Sequence, residues 1–269
     1  VPHSQGQRDF LLCQAKVKTA ACGRRWGKSE SLAVDLALWA IENPNSIQFV
    51  IGPTDDQSKI IMSQTSRFLH AIPGLSADIR EIMSPYHSIS LRDANGLSVG
   101  TTIKARTAGT SGKGIRGNKA HRVILDEAAF IPDSIVDEAI TPMLADYDGH
   151  LVKISTPCGR NHFYRDYLMG LDSANERYRG FQFPTTDNPH ISAAYVEEQR
   201  RTKPDRVFRQ EYLAEFLEDA GGVFRGVQDV VRKGSMGSPR GQVYVGIDLA
   251  KYDDCTVLAA VDDHGSQVG

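Results

Sequence analysis

The residues best suited to chemistry begin with a Gly-Lys-Ser triplet at 27–29, directly after two arginines and a tryptophan. A short apolar strand precedes the triplet and a helical pattern follows it, so backbone N–H groups and a helix N-terminus would point at phosphate oxygens. In such a loop Lys28 would bridge the β- and γ-phosphates, and the Ser29 hydroxyl would bind Mg²⁺. Cys22 replaces the usual opening glycine and is small enough for the turn. A basic loop before an ordinary helix is the alternative interpretation.

Two adjacent carboxylates, Asp126 and Glu127, follow an apolar run that predicts a buried strand. A carboxylate at the tip of a strand beside a phosphate loop can hold Mg²⁺. A second one next to it can orient and deprotonate an attacking water. Alone, the pair is more simply explained as a strand end with helix-capping residues. After the Gly-Lys-Ser loop, in a strand–helix–strand pattern, it favours an ATPase.

Ser155, Thr156 and Pro157 end the next apolar strand, one strand–helix unit after the carboxylate pair. Small hydroxyl residues at this position are suited to sensing a γ-phosphate and transmitting its presence. A plain strand end with a proline turn is the alternative.

The segment 112–117 matches the Gly-x-Gly-x-x-Gly pattern of dinucleotide-binding folds. It follows no clear strand and leads into a polar turn and a strand, whereas that fingerprint opens a helix. We therefore reject the dinucleotide interpretation and predict a flexible basic loop that contains Lys113, Arg116 and Lys119.

Strands and helices that alternate along the chain must position these motifs, and hydrophobic periodicity predicts that alternation. We predict strands at 15–21, 47–53, 122–130 and 150–157, helices at 28–42, 55–72 and 132–144, a hairpin over 88–105 and mainly helical structure over 192–217. This order indicates an α/β fold with a mainly parallel sheet flanked by helices. The Gly-, Ser- and Pro-rich segment 226–242 is typical of a linker.

The composition excludes several function classes. A formal net charge of −2 over 269 residues means that contact with nucleic acid would need a local basic patch or an oligomer. The four cysteines form no Cys-x-x-Cys pair, which argues against a zinc site or a disulfide framework and fits a reducing cytosol. No apolar run reaches membrane-spanning length, and we recognise no signal peptide.

The motifs, in this order, resemble those of the large terminase subunit of tailed bacteriophages over nearly the whole chain. The family's phosphate loop (Walker A) has the form Gly-Arg-Arg-x-Gly-Lys-Ser, which is matched by Gly23, Arg24, Arg25, Trp26, Gly27, Lys28 and Ser29. Its hydrophobic-Asp-Glu motif (Walker B) matches 124–127, and its coupling motif resembles 155–157. A family motif whose glutamine reads adenine resembles the start of the chain, where Gln7 fits best and Gln5 is a rival.

The resemblance implies a P-loop NTPase of the ASCE type over residues 1–225, with a small helical lid subdomain at about 178–225. After the linker, residues 243–269 resemble the first β-hairpin of a ribonuclease-H-like nuclease, in which Asp248 would be the first metal-binding catalytic carboxylate. One aspartate cannot hold two Mg²⁺ ions, and its partners would lie beyond Gly269. We therefore expect that this chain alone does not cut DNA.

The function that the resemblance implies is ATP-driven packaging of double-stranded DNA into a procapsid, with ATP and Mg²⁺ as cofactors. Arg116 is our candidate for an arginine finger that acts on the ATP of a neighbouring subunit, and Arg25 or Arg24 acting in cis are the rivals. The implied partners are the portal protein, the small terminase subunit and further copies in a pentameric ring, in the host cytoplasm; a monomer in solution is compatible with this.

Two other functions remain as alternatives. A DNA helicase or remodelling ATPase shares the Asp-Glu chemistry but usually brings a second motor lobe. A non-hydrolysing nucleotide-binding module would not need both Lys28 and Glu127, which are present.

Overall fold

The computed structural model describes residues 4–75, 78–92, 99–217, 240–248 and 257–264. These belong to two units, divided between Asp219 and Ala220. In the first unit the helices are α1 (Gln5–Leu12), α2 (Lys28–Glu42), α3 (Asp55–His70), α4 (Asp133–Ile135), α5 (Thr141–Met143), α6 (His162–Met169), α7 (Ala193–Thr202) and α8 (Asp205–Glu211). The strands are β1 (Val17–Cys22), β2 (Ile47–Gly52), β3 (Ile79–Ile82), β4 (Ser88–Arg92), β5 (Val99–Thr107), β6 (Arg122–Asp126), β7 (His150–Ser155) and β8 (Tyr178–Phe183).

The strands form one eight-stranded sheet in the order β3-β4-β5-β2-β6-β7-β1-β8. All neighbours from β5 to β8 are parallel, whereas β3, β4 and β5 pair antiparallel. Parallel pairing brings the carboxyl ends of strands to one edge. In register, Ala21 aligns with Ser155, and Asp126 aligns with Ile154. The additional strand β7 therefore lies between the phosphate-loop strand and the Asp-Glu strand, and this is the ASCE arrangement.

Both faces of the sheet are covered, as the continuous burial of β1 and β6 requires. One apolar cluster joins the sheet to α2 and α3, with Leu32, Leu36 and Ile61 among its members. The other joins it to the segment after β6 and to α6, with Ile140 and Phe163 among its members. The predicted α/β fold is thus confirmed. No helix in the described ranges combines the length and apolarity needed to cross a bilayer.

Two predicted elements differ from the structure. The strand predicted at 122–130 ends at Asp126, because Glu127 adopts a left-handed backbone with φ 47° and a 3-10 turn, Ala128–Phe130, follows. The helix predicted at 132–144 is divided into α4, a π-helical turn at Val136–Ile140 and α5. Pro142 lacks the N–H that would bond to the carbonyl four residues earlier, so a continuous α-helix cannot pass through it.

Two strands were not predicted, β3 and β8, and both lie at the edges of the sheet. Strand β8 mixes polar and apolar residues and is mostly half-exposed, so it lacks the apolar run that marks a central strand. Its range falls within the 178–225 that the sequence analysis assigned to a helical lid, yet it pairs with β1 along its whole length. The described α-helices of that region begin only at Ala193, after a 3-10 turn at Thr185–Asp187.

The second unit contains β9 (Val243–Asp248) and β10 (Val257–Asp262), which pair antiparallel, with Asp248 opposite Val257. This agrees with the predicted β-hairpin. Most of the predicted linker, 226–242, lies outside the described residues.

A buried charge cluster, which we call the Asp35 triad, connects the elements that carry the motifs. The Asp35 carboxylate on α2 accepts from Lys18 Nζ of β1 at 3.1 Å and from Arg122 Nη2 of β6. The three side chains are at most 6% exposed. Lys18 also donates to the Phe10 carbonyl, which attaches α1. Burial lowers the pKa of Lys18, and the charge of Asp35 opposes that shift.

We expect Asp35→Leu to lower the free energy of unfolding by about 3–5 kcal/mol, because it leaves two cations buried without their counter-ion. Denaturant titration measures this loss. In the triple variant Lys18→Met/Asp35→Leu/Arg122→Met no unpaired charge remains, and much of the stability should return. Glu197→Gln, which breaks an exposed pair with Arg200, is the control and should leave the unfolding midpoint unchanged. A small loss in Asp35→Leu would show that the triad does not hold the fold together.

Candidate nucleotide-binding site

The loop between β1 and α2 presents its backbone toward the carboxyl edge of the sheet. Gly27 caps α2 with φ 106°, a conformation that favours glycine, and Arg25 is also left-handed at φ 64°. Gly27 at the N-cap has no side chain that could accept from the first N–H groups of α2. A loop and helix start of this kind offer N–H donors and a positive dipole end to an anion.

The loop is packed closely against the segment that follows β8. A Cβ at Gly23 would lie 2.5 Å from the Tyr212 carbonyl oxygen and 2.6 Å from Thr185 N, so only glycine fits. The Arg24 amide donates to the Glu211 carbonyl at 2.7 Å, and its guanidinium pairs with the Glu211 carboxylate at 2.5 Å. The loop is therefore held by residues of the predicted lid region.

Further contacts fix the carbonyl groups of the loop. Thr185 Oγ1 donates to the Arg24 carbonyl at 2.7 Å, and Asn188 Nδ2 donates to the Arg25 carbonyl at 2.6 Å. The Trp26 side chain is buried and stacks on Phe183 of β8, with ring centroids 4.5 Å apart and an interplanar angle of 3°. The structure thus places the Trp26 ring in the core, although the sequence analysis counted this residue with the nucleotide-binding loop.

Three of the predicted residues come into direct contact. Lys28 Nζ lies 3.4 Å from Glu127 Oε1, and Ser155 Oγ donates to Glu127 Oε2 at 3.1 Å. The left-handed backbone of Glu127 costs on the order of 1 kcal/mol for a residue with a side chain. The phosphate loop, the carboxylate pair and the end of β7 therefore converge on the Glu127 carboxylate.

Asp126 is buried beside Glu127, and its Oδ1 has no hydrogen-bond partner among the described residues. Burial and the neighbouring Glu127 charge raise the pKa of Asp126 to about 7, against the opposing effect of Lys28. A divalent cation would satisfy the free oxygen and favour the ionised carboxylate. Oxygen donors of this type suit Mg²⁺, and Asp126 with the Ser29 hydroxyl would hold it.

Lys28, Ser29 and Glu127 border a cavity of about 640 Å³. Its lining comes from the phosphate loop and the start of α2, from Glu127, and from one residue each of α3 and α7, namely Gln64 and Tyr195. The sequence analysis missed both of these residues. Only the packing of α3 and α7 brings them to the cavity, and their polar or aromatic type alone gave no signal.

The rival glutamines of the N-terminal segment differ in position. Gln7 is buried, and its Nε2 lies 2.7 Å from where a Cβ at Gly27 would stand. Gln5 is exposed and donates to Asp9 on its own helix. Of the two, only Gln7 borders the phosphate loop.

Two other predicted residues, Arg116 and Thr156, do not line this cavity. Arg116 is exposed and pairs with Glu138 at 2.7 Å, in a turn that Ile115 attaches to the core. Thr156 is buried next to Ser155. Asp248 belongs to the second unit, and its side chain is outside what the structure describes.

A family model described as terminase large subunit, T4likevirus-type, N-terminal, matches residues 20–228. The chain is 28% identical to the large terminase subunit of Thermus virus P23-45, over 92% of this chain and 58% of that protein. It is also 28% identical to the large terminase subunit of Escherichia phage T5, over 77% of this chain and 45% of that protein. The chain therefore spans about half the length of these relatives.

Solved structures are similar as well. The large terminase ATPase domain of Thermus phage P74-26 is 29% identical, with a TM-score of 0.67 that covers 79% of this chain and 93% of that domain. The HK97 bacteriophage large terminase, at 18% identity, has a TM-score of 0.65 that covers 97% of this chain and 61% of that protein. The second similarity shows the shared fold.

The raised pKa of Asp126 predicts how stability depends on pH in the absence of nucleotide and Mg²⁺. A carboxyl whose pKa is higher in the folded than in the unfolded protein lowers the free energy of unfolding as pH rises. This loss is small below pH 3.8 and grows until pH passes about 7. Asp126→Asn removes this loss. The free energy of unfolding of Asp126→Asn minus that of the wild type should therefore be about 2–3 kcal/mol larger at pH 8 than at pH 5. Denaturant titrations at both values test this, and an equal difference at the two would contradict it.

Proposed function

Because the chain belongs to the terminase large-subunit family, we propose that it is the ATP-hydrolysing motor of a machine that packages double-stranded phage DNA into a procapsid. The observation that supports hydrolysis best is the convergence of Lys28 and Ser155 on Glu127. Beside them lies the Asp126 oxygen that accepts no hydrogen bond from the part of the chain that the structure describes. This arrangement supplies a phosphate-binding cation, a general base and a metal-binding carboxylate at one edge of the sheet.

Nucleotide binding begins at the loop. Phosphate oxygens accept from the backbone N–H groups of the loop and from Lys28. Because Lys28 Nζ lies 3.4 Å from Glu127 Oε1 in the free protein, the phosphates compete with Glu127 for the ammonium. Binding therefore releases one oxygen of Glu127 at the moment when a base is needed.

Hydrolysis then proceeds at the γ-phosphate. Glu127 orients a water and accepts its proton while the water oxygen bonds to the γ-phosphorus and the bond to the β–γ bridging oxygen breaks, leaving ADP and phosphate. Ser155 holds the other Glu127 oxygen at 3.1 Å and so fixes the carboxylate. A Mg²⁺ ion, held by Ser29 and Asp126, would neutralise charge on the phosphates.

Movement is transmitted from the loop to the lid region. Arg24 is bonded to Glu211 of α8, and the Arg25 carbonyl accepts from Asn188. A change in the loop on phosphate binding or release is therefore passed to the segment that contains α7 and α8. Ser155, Thr156 and Pro157 would couple the same event to β7, and Gln7 would read adenine.

The whole protein would work with partners. We propose a pentameric ring of copies at the portal protein, supplied with DNA by the small terminase subunit in the host cytoplasm. In a longer chain the unit with β9 and β10 would belong to a nuclease that cuts concatemeric DNA, with Asp248 as a metal-binding carboxylate. The antiparallel pairing of these two strands supports that assignment.

Glu127→Gln should lower ATP turnover about 10²–10⁴-fold, because it keeps the shape of the side chain and removes the base. Its affinity for ATP should stay within a few-fold of the wild type, because Lys28 and the loop that bind the phosphates are intact, and any change should be a gain, since the phosphates no longer have to displace Glu127 from Lys28. Steady-state hydrolysis and equilibrium binding of a fluorescent ATP analogue measure the two quantities.

Lys28→Ala is the matched comparison, and it should weaken binding itself because a cation is removed from the phosphates. Equal losses of affinity and turnover in Glu127→Gln would give Glu127 a structural role and contradict the proposed base.

Arg116 is proposed to act as an arginine finger in trans, an effect worth about a thousandfold or more in rate. Mixing inactive Arg116→Ala chains with inactive Glu127→Ala chains should restore part of the activity, because some interfaces then combine an intact finger with an intact base. Glu138→Gln, which breaks only the ion pair of Arg116, is the control and should remain active. If mixed rings form, as light scattering can show, and no activity returns, Arg25 or Arg24 in cis becomes the better assignment.

A further inference from the structure

Gln64 of α3 lines the same cavity as Lys28 and Glu127, and no motif explains it. Its amide oxygen Oε1 is buried and has no hydrogen-bond partner among the described residues. A buried acceptor without a donor is unfavourable, and a small rotation of the side chain would turn it toward a donor that arrives in the cavity with the substrate.

The position of Gln64 in the fold puts it on the side of the general base. It lies on the helix that follows β2, and β2 is the neighbour of β6, the strand that ends at Asp126. The lid region borders the opposite side of the loop, since it follows β8, the edge strand next to β1. The helix is anchored, because Ile61 and Thr65 on either side of Gln64 are buried in the core.

The attacking water needs two acceptors. Its oxygen must direct a lone pair at the γ-phosphorus, so both O–H bonds point away from the phosphate. Glu127 accepts one of them as the base. The second Glu127 oxygen already accepts from Ser155 Oγ at 3.1 Å and is less available for the other O–H.

We propose that Gln64 is a catalytic residue whose Oε1 accepts the second hydrogen bond of the attacking water and so orients it toward the γ-phosphate. An amide suits this role better than a carboxylate. Glu127 and the phosphate already bring negative charge to this cavity, and the Asp126 carboxyl lies next to Glu127. A third carboxylate would repel the phosphate, whereas a neutral carbonyl accepts the same hydrogen bond without that cost.

The inference rests on the proposed ATP hydrolysis, and single-turnover kinetics test it. Gln64→Leu keeps the size of the side chain and removes the acceptor. It should slow hydrolysis about 10–100-fold, while the Kd of a non-hydrolysable ATP analogue changes less than about twofold. Gln64→Glu should also be slow despite its acceptor oxygens. Gln57→Leu is the control, because Gln57 lies on the same helix and its Oε1 already accepts from Thr54; it should keep wild-type rates.

A double variant separates orientation of the water from a purely structural effect. If Gln64 and Glu127 act on one water, Gln64→Leu/Glu127→Gln should be no slower than Glu127→Gln alone. If the losses in rate of the two single variants multiply in the double variant, the inference is overturned. It is also overturned if Gln64→Leu, with an unchanged unfolding midpoint, either hydrolyses ATP at the wild-type rate or shows a large rise in the analogue's Kd. A wild-type chain that does not hydrolyse ATP, or a fully active Glu127→Gln, would instead overturn the proposed function.

Discussion

The carboxylate of Asp35 joins helix α2 to two strands that are not neighbours in the sheet. Strands β1 and β6 are separated by β7, yet Lys18 of β1 and Arg122 of β6 both donate to Asp35 of α2. Burying three charges is costly unless each is paired, so this geometry tolerates little displacement of α2 against either strand. Since the phosphate loop connects β1 to α2 and Asp126 ends β6, the distance between loop and carboxylates depends on this cluster together with the pairing of both strands to β7.

The site without nucleotide has energetically unfavourable features that the binding of substrate would relieve. Glu127 is held in a left-handed backbone and pairs with Lys28. Asp126 is buried, and one of its oxygens has no hydrogen-bond partner within the described ranges. Phosphates would take Lys28, and a cation would take Asp126. Binding free energy would then be spent on releasing the base and ionising the metal ligand, which prepares the chemical step instead of only tightening the complex.

Local sequence patterns were sufficient to predict those elements whose structure is decided by residues close together in the chain. Helix α2 begins and ends where the apolar spacing and Asn43-Pro44 predict, and the loop, the carboxylate pair and Ser155 meet because parallel strands end at one edge. The strand β8 was missed because an edge strand needs no continuous apolar run. The burial of Trp26 and the position of Gln64 depend on partners distant in sequence, Phe183 for the first and the packing of α3 for the second, so no local pattern indicates them. The ionisable Asp35 on the apolar face of α2 was a usable signal, since such a residue is buried only with a counter-ion.

Two mechanical paths leave the phosphate site, and they start from different groups. One begins at the loop, where Arg24 is bonded to both the backbone and the carboxylate of Glu211. The other begins at Glu127, which is bonded to Ser155 of β7; two residues earlier on β7, Lys153 pairs with Asp166 of α6 at 2.7 Å. Burial lowers the pKa of Lys153, and the Asp166 charge opposes that shift. Because the buried ammonium needs this counter-ion, the pair favours a fixed position of α6 relative to β7. In the proposed mechanism the loop would respond to whether phosphates are present, whereas Glu127 would respond to whether the γ-phosphate and its water are in place. A motor built on this site would therefore distinguish a bound nucleotide from a hydrolysed one through two separate elements, the lid helices and α6.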